Sequence, residues 1–198
     1  MNEIISFLSS INFNWNIIEI IAVTSSIIYV SLASRQSINC WIFAIISVSL
    51  YIYICFNAQL YLESGLQIFY LIMAVYGYLN WTKSSNNLPI TNLSVGNHLL
   101  TIALGTICAF LLGYFFTIYT SSQMPIIDSF TTVFSVIATY MLTKKVLENW
   151  LYWIVIDIVS IYLYFNRELH LTSLLFILYS IIAIFGYYSW LRHSKKYA

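Results

Sequence analysis

Long apolar segments separated by short polar connections fill most of the chain. A helix of about 17–25 apolar residues crosses the hydrocarbon core of a membrane, which is about 30 Å thick. Seven segments of this kind can be drawn, and the pattern therefore predicts an all-α polytopic membrane protein. The predicted spans are approximately 17–34, 40–56, 60–81, 98–118, 125–143, 150–165 and 169–191.

Residues 1–16 precede the first span and do not resemble a secretory signal. Glu3 stands where a basic region is expected, and Asn12 and Asn14 interrupt the apolar run. The apolar residues of this segment recur near helical spacing, which indicates an amphipathic helix at the membrane interface. A disordered tail is an equally compatible interpretation.

The composition of the 198 residues excludes several classes of protein. With 61% hydrophobic and 8% charged residues and a mean hydropathy of +0.83, the chain has too much apolar surface for a soluble domain. A net charge of +1 offers no electrostatic footprint for nucleic acid. The three cysteines have no metal-ligand spacing and the three histidines are scattered, so neither a metal site nor a cofactor is expected.

Lysine and arginine are distributed unequally between the connections. Cytoplasmic loops hold the excess of both residues, and with seven spans only Arg167 lies on the opposite side. We therefore expect the N-terminus outside and the C-terminus in the cytoplasm, with 82–97 as a cytoplasmic linker and 192–198 as a basic tail. The residues on the predicted cytoplasmic side are Arg35, Lys83, Lys144, Lys145, Arg192, Lys195 and Lys196.

The chain contains an internal repeat, in which residues 19–81 align with 128–190 without a gap. Two three-span repeats, 17–81 and 125–191, joined by the single span 98–118, predict a 3+1+3 arrangement. Both repeats then have the same orientation, and parallel repeats occur among transporters that bind substrate near the midplane. The matched rare residues are Trp41 and Trp150, Tyr53 and Tyr162, Phe56 and Phe165, Asn57 and Asn166, Tyr70 and Tyr179, Gly77 and Gly186, Tyr78 and Tyr187, and Trp81 and Trp190.

Polar residues present in one repeat only are the better candidates for binding an asymmetric ligand. Asp157 lies in the middle of the sixth span, where its repeat counterpart is Val48. A carboxylate at this depth costs about 2.5–3.5 kcal/mol on insertion scales and is expected to face a cavity. Trp150 and Trp153 share its helical face, and aromatic faces beside an anion suit a flat cation. The alternative is a hydrogen bond between helices.

A second polar stripe lies on the third span and contains Glu63, Gln67 and Tyr70. Gln67 corresponds to Phe176 in the second repeat, so it is also asymmetric. We expect it to bind an amide or hydroxyl of the ligand, the alternative being a contact that holds helices together. Glu63 is nearer the helix end, where solvation at the outer surface is an alternative to ligand binding.

Several stretches resemble the PnuC family of bacterial vitamin transporters. They are 59–67, 77–81, 186–190 and above all Lys144–Trp153, with its pattern of a basic residue, Glu-Asn-Trp and a second Trp. The resemblance implies seven helices in a 3+1+3 plan in the bacterial inner membrane. It also implies a homotrimer and transport without ATP hydrolysis, followed by capture of the product by a cytoplasmic kinase.

Carried over residue by residue, the resemblance places Trp153, Asp157 and Gln67 in the substrate site. Asp157 departs from the asparagine typical of riboside carriers. The substrate implied is nicotinamide riboside, with thiamine as the alternative, and both are cations with aromatic rings.

Two other classes of function fit parts of the pattern. A seven-helix receptor has the same gross topology, although the repeat argues against it. An intramembrane enzyme is not expected, because no H-E-x-x-H, G-x-S-x-G or close aspartate pair occurs. No Walker A motif is present either, so a transporter of this sequence would use the solute gradient.

Overall fold

The structure is a computed structural model that describes residues 17–83, 88–120 and 123–197. The predicted interfacial segment 1–16 lies outside the described residues. The described part is all-helical. Its helices are α1 (Ile17–Ser34), α2 (Cys40–Asn57), α3 (Tyr61–Lys83), α4 (Val95–Tyr119), α5 (Pro125–Thr143), α6 (Asn149–Asn166) and α7 (His170–Tyr197).

Five of these helices, α1, α2, α4, α5 and α7, are long and apolar enough to cross a membrane. The helices α3 and α6 are of similar length, but they carry the polar residues noted above, including Gln67 and Asp157, which lower their hydropathy. The helix ends differ slightly from the predicted spans. The structure continues α7 to Tyr197 through most of the predicted tail, and begins α4 at Val95 inside the predicted linker.

Four helices end in the same backbone motif. The four ends form two pairs, and the two positions of each pair are 109 residues apart. Gln36 and Lys145 follow α1 and α5, and Gln59 and Glu168 follow α2 and α6, all with φ between 53° and 60°. At each end the next N–H donates to a carbonyl five residues back, as in a Schellman motif. Because glycine occupies none of these left-handed positions, composition gave no signal for them.

The helices pack crosswise. The helices α1–α3 form the N-terminal half and α5–α7 the C-terminal half. The first helix of the N-terminal half, α1, packs against the last helix of the C-terminal half, α7, and α3 packs against α5. Within the halves, α2 packs against α1 and α3, and α6 against α5 and α7. The linking helix α4 packs against α5 within the described part of the chain and lies outside this six-helix arrangement.

Each half contains a tryptophan that lies flat against a glycine. Trp41 of α2 covers Gly77 of α3, and Trp150 of α6 covers Gly186 of α7. A Cβ added at Gly186 would lie 2.7 Å from the Trp150 ring, and one at Gly77 would overlap Trp41 even more closely. Glycine is therefore required at both positions by close approach of the rings.

A second pair of tryptophans joins the two halves. Trp81 Nε1 donates to the carbonyl oxygen of Thr143 at the end of α5, and Trp190 Nε1 donates to that of Ala33 near the end of α1, both at 3.1 Å. The rings of Trp81 and Trp190 also meet, with centroids 6.2 Å apart. Two reciprocal hydrogen bonds thus fasten each half to the other at one end of the helix bundle.

That end of the bundle, where α1, α3, α5 and α7 terminate, is called the basic end here. The segment after residue 88 is held against it, because Thr91 exchanges backbone hydrogen bonds with Lys145 and Leu147. The carboxylate of Glu148 accepts a further hydrogen bond from the Leu93 N–H at 3.0 Å. The basic side chains of this end are Arg35, Lys83, Lys144, Lys145, Arg192 and Lys195.

The opposite end carries most of the acidic residues. Asp128, in the first turn of α5, forms an ion pair with Arg167, which follows α6. Glu19 and Glu63 lie in the first turns of α1 and α3, where a negative charge interacts favourably with the helix dipole. The single basic residue expected on this side is thus partnered within the protein.

The tight contact between glycine and tryptophan predicts that Gly77→Ala destabilises the protein. The added methyl group must displace the Trp41 ring, and overpacking of this kind costs about 1–3 kcal/mol. Thermal unfolding of the purified protein measures the effect. Gly65→Ala in the same helix is the matched control, because no atom lies within 4 Å of its Cβ position, and it should leave stability unchanged or raise it. Equal melting temperatures for both variants would contradict the packing argument.

Candidate ligand-binding cavity

A cavity of about 340 Å³ lies between the six helices of the two halves. Every one of α1, α2, α3, α5, α6 and α7 contributes to its lining, whereas α4 contributes none. The volume falls within the range of about 300–1,000 Å³ that is typical of small-molecule sites. The crosswise packing therefore leaves a ligand-sized space in the interior of the bundle.

The side of the cavity formed by α3, α5 and α6 carries a carboxylate, an indole and an amide, and it is called the polar wall. Asp157 and Trp153 come from α6 and Gln67 from α3, and both of these helices pack against α5. Asp157 is only 2% exposed, and its carboxylate has no hydrogen bond or ion pair within the described residues. A buried carboxylate without a partner is energetically costly, so the wall is suited to a ligand that supplies positive charge or hydrogen-bond donors.

The positions related to this wall by the 109-residue offset are apolar. Ala44 corresponds to Trp153 and Val48 to Asp157, and both line the cavity from α2. Phe176 of α7 corresponds to Gln67 and also lines it. A scaffold with similar halves thus encloses a cavity whose repeat-related positions differ in polarity, as an asymmetric ligand requires.

Two tyrosines extend from the third helix of each half to a serine of the other half. The hydroxyl groups of Tyr179 and Ser26 are hydrogen-bonded, and Tyr70 makes the corresponding side-chain contact with Ser135. All four residues line the cavity. The repeat had paired Tyr70 with Tyr179, but sequence reasoning missed the serines, because serine is a common residue in membrane helices.

Tryptophans form the cavity wall towards the basic end. Trp41 and Trp150 line the cavity, and each packs edge-to-face against the tryptophan that fastens the halves, Trp81 or Trp190, at 5.2 and 5.5 Å. The Nε1 atoms of Trp41 and Trp150 are buried without a hydrogen-bond partner in the described part of the chain. Their rings are therefore held by packing against the glycines.

Lys145 lies just beyond this tryptophan cluster. Its Nζ is 4.6 Å from the Trp81 ring and 3.5 Å from Oε1 of Gln36. Burial lowers the pKa of the Lys145 ammonium group. The contact between this cation and the ring adds to the closure of the basic end.

The structure brings five of the six sequence-predicted site residues together and separates the sixth. Glu63 is exposed in the first turn of α3 and does not line the cavity, in keeping with its position near a helix end. Trp150 is almost fully covered by Gly186 and Trp190, so it presents less of its ring than Trp153 does. The five residues that line the cavity are Gln67, Tyr70, Trp150, Trp153 and Asp157.

A family model matches nearly the whole chain. The model of the nicotinamide mononucleotide transporter family matches residues 16–192. The chain belongs to this family. Membership confirms the family that the sequence resembled and identifies a multi-pass membrane protein of a transporter family, which gives the receptor alternative no support.

Relatives with named substrates cover most of this chain. The nicotinamide riboside transporter PnuC of Escherichia coli (strain K12) is 24% identical, over 90% of this chain and 87% of that protein. The riboflavin/roseoflavin transporter RibM of Streptomyces davaonensis is also 24% identical, over 86% and 82%. The crystal structure of the vitamin B3 transporter PnuC superposes with a TM-score of 0.76 at 23% identity, covering 91% of this chain and 83% of that one. The helical fold is therefore shared.

Proposed function

We propose that this protein is a membrane transporter that carries nicotinamide riboside down its concentration gradient. The observation that carries the proposal is the asymmetric cavity, in which an unpartnered buried carboxylate lies on the same wall as a tryptophan and a glutamine. It occurs in a chain of the nicotinamide mononucleotide transporter family. Thiamine, the other cation considered, is not favoured, because the relatives named above carry nicotinamide riboside or riboflavin in their names.

The chemistry of the polar wall suits this substrate. Nicotinamide riboside contains a cationic pyridinium ring with a carboxamide group, joined to a ribose. The face of Trp153 attracts such a ring, and Asp157 supplies the opposite charge. The Gln67 amide can exchange hydrogen bonds with the carboxamide, and the hydroxyl groups of Tyr70 and Tyr179 can do so with the ribose. Glu63 has no part in this proposal.

Uptake needs no catalysis by this chain. The solute gradient drives entry, and phosphorylation by a cytoplasmic kinase after release traps the product in the cell. The protein is therefore proposed to be a transporter without enzymatic activity. The sequence supports this with its lack of a Walker A motif.

For the architecture we propose two parallel three-helix repeats, with α4 as the linking helix. Three features recur at the same 109-residue offset and support this 3+1+3 plan. They are the bounds of α2 and α6, the left-handed residues at the helix ends, and the pairs of tryptophan and glycine. The crosswise packing of α1 on α7 and α3 on α5 fits an axis between the halves.

For the topology we propose that all seven helices cross the bacterial inner membrane, with the basic end in the cytoplasm. Six described basic side chains lie at that end, whereas Arg167 at the other end is neutralised by Asp128. The N-terminus is then outside and the C-terminus inside. A homotrimer is proposed from the family resemblance alone.

Transport requires the basic end to open. In the described structure the hydrogen bonds of Trp81 and Trp190 hold the two halves together there. A ligand can shift the halves towards an open state only if its affinity for the open state is higher than for the closed state. The polar wall belongs to α3 and α6, one helix from each half, so a bound substrate contacts both moving parts.

Uptake of labelled nicotinamide riboside tests the proposed function directly. Cells that lack their own riboside carrier should accumulate the label when they express this protein and a riboside kinase. Labelled thiamine and riboflavin in parallel cultures, with cells carrying the empty vector, provide the controls. Accumulation of riboflavin or thiamine without nicotinamide riboside would contradict the substrate, and accumulation of none would contradict the function.

Trp153→Ala should weaken binding of nicotinamide riboside. Loss of a desolvated contact between a cation and an aromatic ring removes about 1–2 kcal/mol, or about 5- to 30-fold in Kd. Isothermal titration calorimetry on the purified protein gives the value. Phe115→Ala on α4 is the control, since that helix does not line the cavity. Unchanged affinity in Trp153→Ala would remove this residue from the site.

Asp157→Asn keeps the size of the side chain and removes its charge. Binding of cationic nicotinamide riboside should weaken by about 1–1.5 kcal/mol, the difference between a charged and a neutral hydrogen bond. Binding of the neutral reduced riboside should not weaken, so competition between the two ligands reports the change in preference. Asp128→Asn, outside the cavity, should leave the preference as it is. Equal weakening of both ligands would argue against a charge role for Asp157.

A further inference from the structure

A groove of about 570 Å³ lies on the outside of the bundle, between α1 and α7 at the basic end. It is separate from the ligand cavity and shares no lining residue with it. Arg35 and Arg192 line it from the ends of the two helices, and both are exposed without an ion pair among the described residues. The hydroxyl groups of Ser31, Ser34 and Ser189 complete its polar part.

The part of the groove deeper in the membrane is apolar. Ile182 and Phe185 line it from α7, about three and two turns before Arg192, and Phe185 is 67% exposed. Tyr188 lies between these residues and the arginine. Both α1 and α7 are long and apolar enough to cross a membrane, so this side of the groove faces acyl chains. The groove therefore has a cationic upper part and an apolar lower part.

At the corresponding seam between α3 and α5 a cation has aromatic partners. Lys83 and Lys144 occupy the positions equivalent to Arg192 and Arg35 at the 109-residue offset. There Lys144 Nζ lies 5.0 Å from the centroid of the Tyr76 ring and 5.8 Å from that of Tyr140. The two tyrosines thus lie beside the Lys144 ammonium group and interact with it.

The same positions in the α1–α7 seam hold smaller or less polar groups. Ser31 takes the place of Tyr140, and Phe185 takes the place of Tyr76. The seam is consequently open, and its two guanidinium groups lack the aromatic partners that Lys144 has. This difference between otherwise similar seams is the observation that points to a ligand.

We propose that the groove binds the phosphate group of an anionic phospholipid. Guanidinium groups form paired hydrogen bonds with phosphate oxygens, and basic pockets between membrane helices are suited to phospholipid headgroups. The hydroxyl groups of Ser31 and Ser189 add donors for the headgroup, whereas that of Ser34 donates to the carbonyl oxygen of Ser31. The acyl chains run along Ile182 and Phe185, and this apolar lower wall favours a lipid over free phosphate.

The position of the groove links lipid binding to the joint between the halves. Trp190, two residues before Arg192, donates its hydrogen bond to Ala33, two residues before Arg35. A phosphate bound by both arginines bridges α1 and α7 directly beside this bond. Bound lipid therefore stabilises the α1–α7 seam and has no equivalent at the α3–α5 seam.

Native mass spectrometry of the delipidated full-length protein tests this inference with phosphatidylglycerol and phosphatidylcholine as probes. We expect one phosphatidylglycerol to be retained in preference to phosphatidylcholine. An Arg35→Gln/Arg192→Gln variant should lose about fivefold in affinity for each arginine, or about 25-fold together. The matched Lys83→Gln/Lys144→Gln variant should retain the lipid, because neither lysine lines the groove.

Ser31→Tyr is a second test that keeps both arginines. The added ring should occupy part of the groove, and phosphatidylglycerol should be lost although the charge is unchanged. If the double arginine variant does not fold, Ser31→Tyr alone tests whether the groove binds the lipid. Two measurements show whether each variant is folded. They are its unfolding temperature in phosphatidylcholine vesicles and its helix content by circular dichroism.

Three outcomes would overturn the inference. Equal loss of lipid in the arginine and lysine variants would mean that general charge attraction suffices. Displacement of phosphatidylglycerol by equimolar inorganic phosphate would mean that the groove binds a soluble anion. A changed subunit number in the arginine variant, with lipid retention unaffected, would mean that this face is an interface between copies of the chain.

Discussion

Two indole hydrogen bonds, one donated by each half of the chain, join the halves, and the rest of the structure depends on them. Trp81 and Trp190 each reach across to a carbonyl near the end of the other half's first helix. Behind them Trp41 and Trp150 lie flat on glycines, so that large rings and close helix packing coexist. In a membrane, where helices gain little from leaving water, such close packing and interhelical hydrogen bonds are the main forces that hold helices together. The interior cavity lies between the halves that these contacts join.

Differences between similar halves give the molecule its specific sites. Inside the bundle, Asp157, Trp153 and Gln67 take the places of Val48, Ala44 and Phe176 in the other half. Outside it, Ser31 and Tyr140 occupy equivalent positions, and the smaller residue leaves a groove beside two arginines. In both places the shared scaffold supplies the geometry, and a few unequal side chains supply the chemistry.

The repeat and its exceptions could be read from the sequence because they rest on local and one-dimensional information. Apolar segment lengths predicted helices at the right places, and rare aromatic residues held one register across two parts of the chain. A carboxylate in an apolar helix is costly anywhere in a membrane, so Asp157 stood out without a structure. The helix ends were less predictable. Gln36, Gln59, Lys145 and Glu168 adopt left-handed conformations that glycine usually marks, and backbone hydrogen bonds of the Schellman type accompany them here.

The sequence by itself indicated a helical membrane protein, predicted an internal repeat, and marked the polar residues that differ between the two aligned parts. Only the tertiary structure decided which of those residues meet. Glu63 and Gln67 are one helical turn apart in sequence, yet one is exposed and the other lines the cavity. The serines that contact Tyr70 and Tyr179, and the arginines that share the outer groove, come from distant parts of the chain. Their proximity follows from crosswise helix packing, and periodicity along one helix carries no information about the helix that packs against it.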